Sequence, residues 1–342
     1  MSRDNGATAR QVGAIVIDAL LEASIVGSFT RVGIVSRRRL FGWSALPRLD
    51  DRVIIVTGAS SGIGRAMAIE LGRLGADLYL VGRDQVRLQQ TVEAARTSGA
   101  VGRIEVAQVN VVDVKAVEEF AARVLTSEKR LDALIHNAGA LFDHYETHDG
   151  VELTVATHVL APFRLSALLS PLLRQSGRSV IVTVSSGGMY TQRFELEHLE
   201  MRPEEYRGVT AYARAKRAQV VLAQQWSRRW SLDGVASYSM HPGWVDTPGL
   251  SKSLPSVARL GPLLRTPLEG ADTALWLASD GPRRDGTATG DPRTLSGFWF
   301  DRARRGEYYV PGTRRSRAQR ERDERALWEW CRDRSGFDAN GE

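Results

Sequence analysis

The feature that most constrains the fold is a glycine-rich stretch between an apolar run and a helical pattern. It reads TGASSGIG over residues 57–64 and overlaps the end of the apolar run RVIIVTGA at 52–59. Glycines at 58, 62 and 64 let a chain leave a strand, turn tightly and enter a helix. The free N–H groups of a helix N-terminus attract phosphate, so the turn predicts a site for the pyrophosphate of a dinucleotide.

Short β-branched runs alternate with helical patterns from residue 51 onward. We predict strands at 52–59, 77–83, 103–111, 131–139, 179–188 and 235–245, and helices at 64–76, 84–99, 113–127, 150–174 and 209–231. This rhythm predicts an α/β fold with one Rossmann-type, doubly wound parallel sheet of about seven strands and helices on both faces.

Three parts are expected along the chain. Residues 51–301 would form the Rossmann-fold domain, after an N-terminal helical extension at 1–50 and before a charged, helical C-terminal extension at 302–342.

Composition narrows the class of protein. A single cysteine, Cys331, excludes an internal disulfide framework and cannot alone hold a metal, so no metal site is expected. The net charge is +6, but the arginines of the tail alternate with acids, which favours solvated helix faces over nucleic-acid binding. We therefore expect a cytoplasmic protein that binds a small molecule and no nucleic acid.

The apolar segment 12–29 is too interrupted to span a membrane. It carries Asp18 and Glu22, whereas a membrane span requires about 20 uninterrupted apolar residues. We expect it to pack on the domain. Peripheral membrane contact stays an alternative, because three arginines at 37–39 follow it.

The end of the second strand indicates which nicotinamide cofactor is bound. Enzymes that use NAD usually carry an acid there to hold the ribose hydroxyls, but this chain has Gly82 and then Arg83. An arginine can bind the 2′-phosphate of NADP through paired N–H groups, and Asp84 is a typical N-cap. We predict NADP(H) as the preferred cofactor, with NAD(H) as the alternative.

Tyr212 and Lys216 lie four residues apart in GVTAYARAKRAQ and would share one face of a helix. The chain uses arginine almost everywhere, and only four of its 46 basic residues are lysines. A lysine kept at this position points to a chemical role.

Five stretches together resemble the short-chain dehydrogenase/reductase superfamily: TGASSGIG, HNAG, VSSGGM, YARAK and HPGWVDTPG. Within it the chain resembles the family of member-12 dehydrogenase/reductases and their bacterial relatives. The resemblance implies an NAD(P)-dependent oxidoreductase that moves a hydride between nicotinamide, preferably NADPH, and a carbonyl or secondary alcohol. It also implies a homo-oligomer, either a dimer or a tetramer.

The resemblance assigns a role to each catalytic candidate. Tyr212 would be the acid/base, Lys216 would lower its pKa, and Ser186 would bind the substrate oxygen. His158 stands where many members carry an asparagine whose backbone carbonyl serves a proton relay. Its imidazole would either titrate near neutrality and join that relay, or pack in the helix.

The resemblance also implies a set of cofactor-binding residues, to which Tyr212 and Lys216 belong. The others are Thr57, Gly58, Ser60, Ser61, Gly62, Ile63, Gly64, Arg83, Asn110, Val111, Asn137, Ala138, Gly139, Pro242, Gly243, Val245 and Thr247.

Two segments, 187–208 and 246–267, are expected to cover the substrate. These segments carry the apolar side chains of Met189, Tyr190, Phe194 and Leu250. Together with Trp244, these side chains favour a lipophilic substrate. The rival to the enzyme is a cofactor-binding regulatory or scaffold protein without turnover, which only His158 favours.

Overall fold

One central sheet forms the fold, and six of its eight strands form where the β-branched runs predict them. The computed structural model describes residues 3–253, 255–287 and 295–337. Within these ranges the strands are β1 (Val53–Thr57), β2 (Asp77–Gly82), β3 (Ile104–Gln108), β4 (Ala133–His136), β5 (Thr147–His148), β6 (Val151–Glu152), β7 (Ser179–Val184), β8 (Val235–Met240), β9 (Ser296–Phe300) and β10 (Ala303–Arg305). The main sheet has the order β10-β9-β8-β7-β4-β1-β2-β3, and β5 and β6 form a separate hairpin.

The main sheet is parallel except at one edge. Its first seven strands in the chain all pair in parallel, and only β10 runs antiparallel, against β9. The predicted doubly wound fold is thereby confirmed. The additional edge strand β10 comes from residues that the sequence analysis assigned to the C-terminal extension.

Helices connect the strands and cover both faces of the sheet. The helices are Arg3–Ala23, Ile25–Phe29, Arg31–Phe41, Gly62–Arg73, Gln85–Thr97, Val114–Ser127, Leu153–Gln175, Gly208–Trp230, Pro248–Ser253, Pro255–Ala258, Pro267–Ala278, Gly281–Arg284 and Arg317–Ser335, with short 3₁₀ turns at Gly187–Thr191, Leu196–His198, Pro203–Glu205, Ser231–Asp233 and Gly261–Leu263.

Each face of the sheet has its own apolar core, because successive side chains of a strand point to opposite faces. Val53 and Ile55 contribute to one core together with Trp226. Ile54 contributes to the other core, which includes Leu71 of the helix after the glycine turn.

The helix Leu153–Gln175 runs through the first of these cores. Among the described residues it is the one helix long and apolar enough to cross a membrane, and 83% of its most apolar window is buried inside the protein. A core helix passes the same test. Its turn Ala156–Leu160 is a π-helix, a rare distortion that often marks a functional site.

The C-terminal helix Arg317–Ser335 packs over the two long helices of this face. The Trp328 ring lies 5.0 Å from the ring of Phe163, and the Arg229 guanidinium lies 3.7 Å from the Trp328 ring. Cys331 is buried in the same core.

The N-terminal extension packs on the domain with its acids facing inward. Asp18 accepts hydrogen bonds from Arg305 of β10 at 2.7 and 2.9 Å, and within the extension Asp18 and Glu22 accept from the buried side chain of Arg37. Apolar side chains such as Ile15 and Leu20 are 60% and 67% exposed. The helix therefore docks through ion pairs and leaves much of its apolar surface uncovered.

Candidate active site

The carboxyl ends of β1, β4, β7 and β8 meet at one edge of the sheet. The strand order changes direction at β1. β2 and β3 lie on one side of β1 in the sheet, whereas β4 lies on its other side. Ligands of open α/β sheets bind at this kind of switch in strand order. The glycine turn follows β1, the HNAG stretch follows β4 and the paired serines follow β7.

The glycine turn packs too closely against its neighbours to accept side chains. Gly58 has φ of +69°, and a Cβ there would lie 2.8 Å from the Cα of Ala138. A Cβ on Gly64 would lie 2.1 Å from the Gly58 carbonyl oxygen and 2.4 Å from Nδ2 of Asn137. The turn therefore depends on glycine at both positions.

The first turn of the helix Gly62–Arg73 leaves its backbone donors open. The first N–H groups of any helix have no hydrogen-bond partner within the helix. Ser61, which directly precedes this helix, makes no capping hydrogen bond with its side chain. Open donors beside a glycine-rich turn fit a pyrophosphate group. Ser60 and Ile63 lie in the same turn, where Ile63 packs on the core.

Thr57 and Asn137 join the ends of β1 and β4. Thr57 Oγ1 accepts hydrogen bonds from the backbone N–H groups of Asn137 and Ala138 at 3.0 and 3.1 Å. Asn137 Nδ2 donates to the Thr57 carbonyl oxygen at 3.0 Å. These bonds fix the floor on which a cofactor would lie.

The end of β2 carries the residues from which the sequence predicts the cofactor. Gly82 is buried, and a Cβ there would lie 3.3 Å from Leu88. Arg83 is exposed, and within the described ranges its guanidinium has no ion pair or hydrogen bond. Asp84 accepts from the backbone N–H of Arg87 at 3.0 Å, which confirms it as the N-cap of the next helix.

Asn110 and Val111 follow β3 at the same edge. Asn110 is exposed, and its carbonyl accepts from the backbone N–H of Asp113 at 2.9 Å. Val111 lines a small cavity together with Thr57 and Ala138.

The two serines after β7 have different environments. Ser185 is buried and donates to the carbonyl oxygen of Lys216 at 2.8 Å, which ties the helix Gly208–Trp230 to the sheet. Ser186 is partly exposed, accepts from the backbone N–H of Gly188 at 3.2 Å and lies close enough to the Tyr212 side chain to lower its pKa. Ser186 and Tyr212 therefore present neighbouring hydroxyl groups.

Tyr212 and Lys216 share the helix face that the sequence predicts. Lys216 Nζ lies 5.4 Å from the Tyr212 ring centroid and donates to the Val184 carbonyl oxygen at 2.9 Å. Burial raises the pKa of Tyr212 to about 12, while the Ser186 side chain acts in the opposite direction. Burial lowers the pKa of Lys216 to about 7. The expectation that Lys216 lowers the tyrosine pKa is not met, because removing tyrosinate from water costs more.

His158 lies directly behind this pair. Its ring meets the Tyr212 ring edge to face, with centroids 5.3 Å apart. Its Nε2 lies 2.9 Å from the carbonyl oxygen of Ala140. A carbonyl only accepts, so Nε2 carries the hydrogen and Nδ1 is a bare acceptor. In the described part of the chain, this buried Nδ1 has no hydrogen-bond partner.

Burial and the charge of Lys216 hold the pKa of His158 well below its usual range. The imidazole is therefore neutral near pH 7, and the expectation that it titrates near neutrality is wrong. Gly139 makes room for the ring, because a Cβ there would lie 2.3 Å from Cε1 of His158. The backbone carbonyl of His158 accepts from Gln219 Nε2 at 2.9 Å.

The loop after β8 closes the opposite side of the site. Gly243 has φ of +77°, and a Cβ there would lie 2.5 Å from Nε of Arg265. Val245 pairs with Arg265 in an isolated bridge, and the Pro242 carbonyl oxygen accepts from Arg265 at 3.3 Å. Thr247 reaches back to the glycine turn, with its Cγ2 3.2 Å from the Cβ position of Gly62.

Known proteins are similar to this chain in sequence and in structure. The family model for short-chain dehydrogenases matches residues 52–257. The chain belongs to the short-chain dehydrogenase family. It is therefore an oxidoreductase that uses NAD(P) and acts on CH–OH or C=O groups.

Two curated relatives and one solved structure show the range of this family. The chain is 38% identical to bovine (Bos taurus) dehydrogenase/reductase SDR family member 12 over 68% of its length and 73% of the relative's. It is 33% identical to human (Homo sapiens) retinol dehydrogenase 11, covering 68% and 74%. A short-chain dehydrogenase of Shigella flexneri, solved with NADP, shares 26% identity with a TM-score of 0.56, over 74% of this chain and 98% of that one.

Several residues of this dehydrogenase's site escaped the sequence analysis. Phe29, Arg265 and Gln219 contact the loops and the helix that carry the catalytic candidates. No local motif marks them. Conversely, Met189 and Tyr190, expected to line the substrate pocket, are buried in a small core with Val220 and Phe298.

Proposed function

We propose that the protein is an NADPH-dependent reductase that converts a lipophilic carbonyl compound into a secondary alcohol. The observation that supports this most is the pair of adjacent hydroxyls on Ser186 and Tyr212, beside Lys216 and across from an open glycine turn.

Tyr212 is the proton donor in this reaction. A phenol whose pKa lies near 12 is protonated at neutral pH, so it can donate to the substrate oxygen as negative charge develops there. Ser186 donates a second hydrogen bond to the same oxygen. The protonated state of Tyr212 favours carbonyl reduction over alcohol oxidation.

The cofactor supplies the hydride, and the chain's own residues fit it. The open N–H groups that follow Ser61 would hold the pyrophosphate, and the exposed guanidinium of Arg83 would hold the 2′-phosphate. Lys216 would bind the nicotinamide ribose. An acid in place of Gly82, as NAD enzymes have, would press on Leu88.

His158, which stays neutral, would hold a water or Lys216 in position to return a proton to Tyr212. Its Nδ1 is a bare acceptor in the same buried space as Lys216, so a water or the lysine can donate to it. The test is His158→Asn, which substitutes the family's usual residue. We expect kcat to fall about tenfold or more with an unchanged dissociation constant for NADPH. An unchanged kcat would assign the relay to the backbone carbonyl.

The proposed reaction is tested with a panel of carbonyl compounds and NADPH absorbance. The wild type should oxidise NADPH with at least one of them, and Tyr212→Phe should lose this turnover while it still binds NADPH. A wild type that binds NADPH and reduces nothing would favour the regulatory or scaffold protein. Parallel titrations should show tighter binding of NADPH than of NADH, and the reverse order would contradict the role of Arg83.

We expect a cytoplasmic enzyme that touches a membrane surface through the exposed apolar side chains of its N-terminal helices, including Ile15 and Leu20. Cosedimentation with liposomes measures that contact, and light scattering measures whether the protein is a dimer or a tetramer.

A further inference from the structure

The short helix Ile25–Phe29 of the N-terminal extension ends inside the active-site region. Phe29 is partly exposed, and its ring carbon Cε2 lies 2.4 Å from the position that a Cβ on Gly187 would take. Gly187 directly follows Ser186. The Phe29 ring therefore lies against the backbone of the loop that carries the serine.

The same ring also contacts the loop after β8. Its centroid lies 5.7 Å from that of Trp244 in an edge-to-face arrangement and 4.6 Å from that of His241. The Phe29 carbonyl oxygen accepts from the backbone N–H of Trp244 at 2.8 Å. Phe29 thus bridges the serine loop and the loop that closes the site.

Arg265 holds this bridge in place. Its guanidinium donates to the carbonyl oxygens of Ser28 at 2.8 Å, Phe29 at 3.1 Å and Pro242 at 3.3 Å. It also donates to both oxygens of Asp301, at 2.6 and 2.9 Å. One buried cation therefore ties the N-terminal extension, the loop after β8 and the end of β9 together.

A second buried arginine anchors the extension to the same carboxylate. Arg37 donates to Asp301 at 2.7 Å, to Ser28 Oγ at 2.9 Å, to Asp18 at 2.7 Å and to Glu22 at 2.8 Å. Burying charges is costly unless each is paired. An extension that only covered the surface would not require such a network beside the site.

We propose that Phe29 forms a wall of the substrate pocket in this enzyme, and that Arg265 is the positioning residue that sets it there. An apolar group attached to the carbonyl carbon would pack against the exposed surfaces of Phe29 and Trp244. This assignment of substrate class rests on the proposed carbonyl reductase activity. The proposed placement of Phe29 beside the nicotinamide end of the cofactor site does not rest on that activity.

The placement is tested by thiol labelling without turnover. Cys331 is buried, so a cysteine introduced at position 29 would be the accessible thiol of the described chain. NADPH should slow labelling of Phe29→Cys by about fivefold or more. It should not slow labelling of the matched variant Val26→Cys, since Val26 lies on the same helix and is 51% exposed. Equal labelling of Phe29→Cys with and without NADPH would overturn the proposal.

The specificity is tested on carbonyl compounds that differ in the size of their apolar group. Phe29→Ala should raise KM about tenfold for large apolar substrates, with little change for small ones and with kcat retained. Phe29→Leu should restore part of the loss. A uniform fall in kcat across all substrates, or no change, would overturn the assignment.

The two proposals fail in different ways. If the wild type reduces no carbonyl but NADPH still protects Phe29→Cys, the proposed reaction fails and the position of the wall stands. If the wild type is active and NADPH gives no protection, the wall fails and the reaction stands.

Discussion

The cofactor half and the substrate half of the site are held together by different means. Around the glycine turn, contacts are between backbones and short side chains, as where Gly64 lies against Gly58 and Thr57 binds Asn137. Around Phe29, in the proposed substrate half, buried ion pairs join residues far apart in the chain, such as Arg37 and Asp301. Backbone packing of this kind is set by the fold, whereas an ion network across the chain can differ between members that share it.

The largest effect is expected at Lys216, where the two halves meet. Because its pKa falls from 10.5 to about 7 on folding, the unfolded state binds more protons between these values. Wild-type stability should therefore rise with pH between about 7 and 10.5. Below pH 7 the full loss of stability that comes from burying the Lys216 charge should be present.

Lys216→Met removes that titration. Relative to the wild type it should be more stable by up to about 5 kcal/mol at pH 7, at 1.36 kcal/mol per pKa unit, and the advantage should shrink toward pH 10.5. Urea unfolding across this range measures it, with the exposed Lys115→Met as control. A difference that does not vary with pH would contradict the lowered pKa.

Asp301→Asn tests the substrate half. Asp301 has φ of +51°, which asparagine tolerates, so the change removes charge with little backbone strain. Leaving Arg37 and Arg265 without their shared anion should cost about 3–5 kcal/mol of unfolding free energy.

NADPH affinity should stay unchanged while KM for the carbonyl substrate rises. Asp50→Asn, in an exposed pair with Arg48, is the control and should leave the denaturation midpoint unchanged. If Asp301→Asn weakened NADPH binding as much as carbonyl binding, the two halves would not be separable.

Gly64→Ala tests the cofactor half. Its Cβ would collide with the Gly58 carbonyl oxygen, so the turn must shift, and NADPH should bind about 100-fold more weakly, or about 2.8 kcal/mol. Gly13→Ala is the control, because its Cβ would meet nothing within 4 Å. Calorimetric titration measures both variants, and wild-type affinity in Gly64→Ala would disprove the close contact.

Arg83→Ala should have the smallest effect. Loss of one arginine that binds phosphate should weaken NADPH binding about tenfold, or about 1.4 kcal/mol, and leave NADH binding unchanged. Fluorescence titration with both cofactors separates the cases, with the exposed Lys115→Ala as control. Equal losses for the two cofactors would mean that Arg83 does not recognise the 2′-phosphate.

Six strands, the glycine turn and the spacing of Tyr212 and Lys216 could be predicted from the sequence, because each depends on residues close together in the chain. The tertiary structure decided that His158 is neutral, since its pKa depends on burial and on Lys216. It also decided that Phe29 reaches the loop of Ser186, through Arg265, which lies 236 positions further along the chain. Local spacing reveals backbone geometry, but which buried charges pair is settled only when distant segments pack.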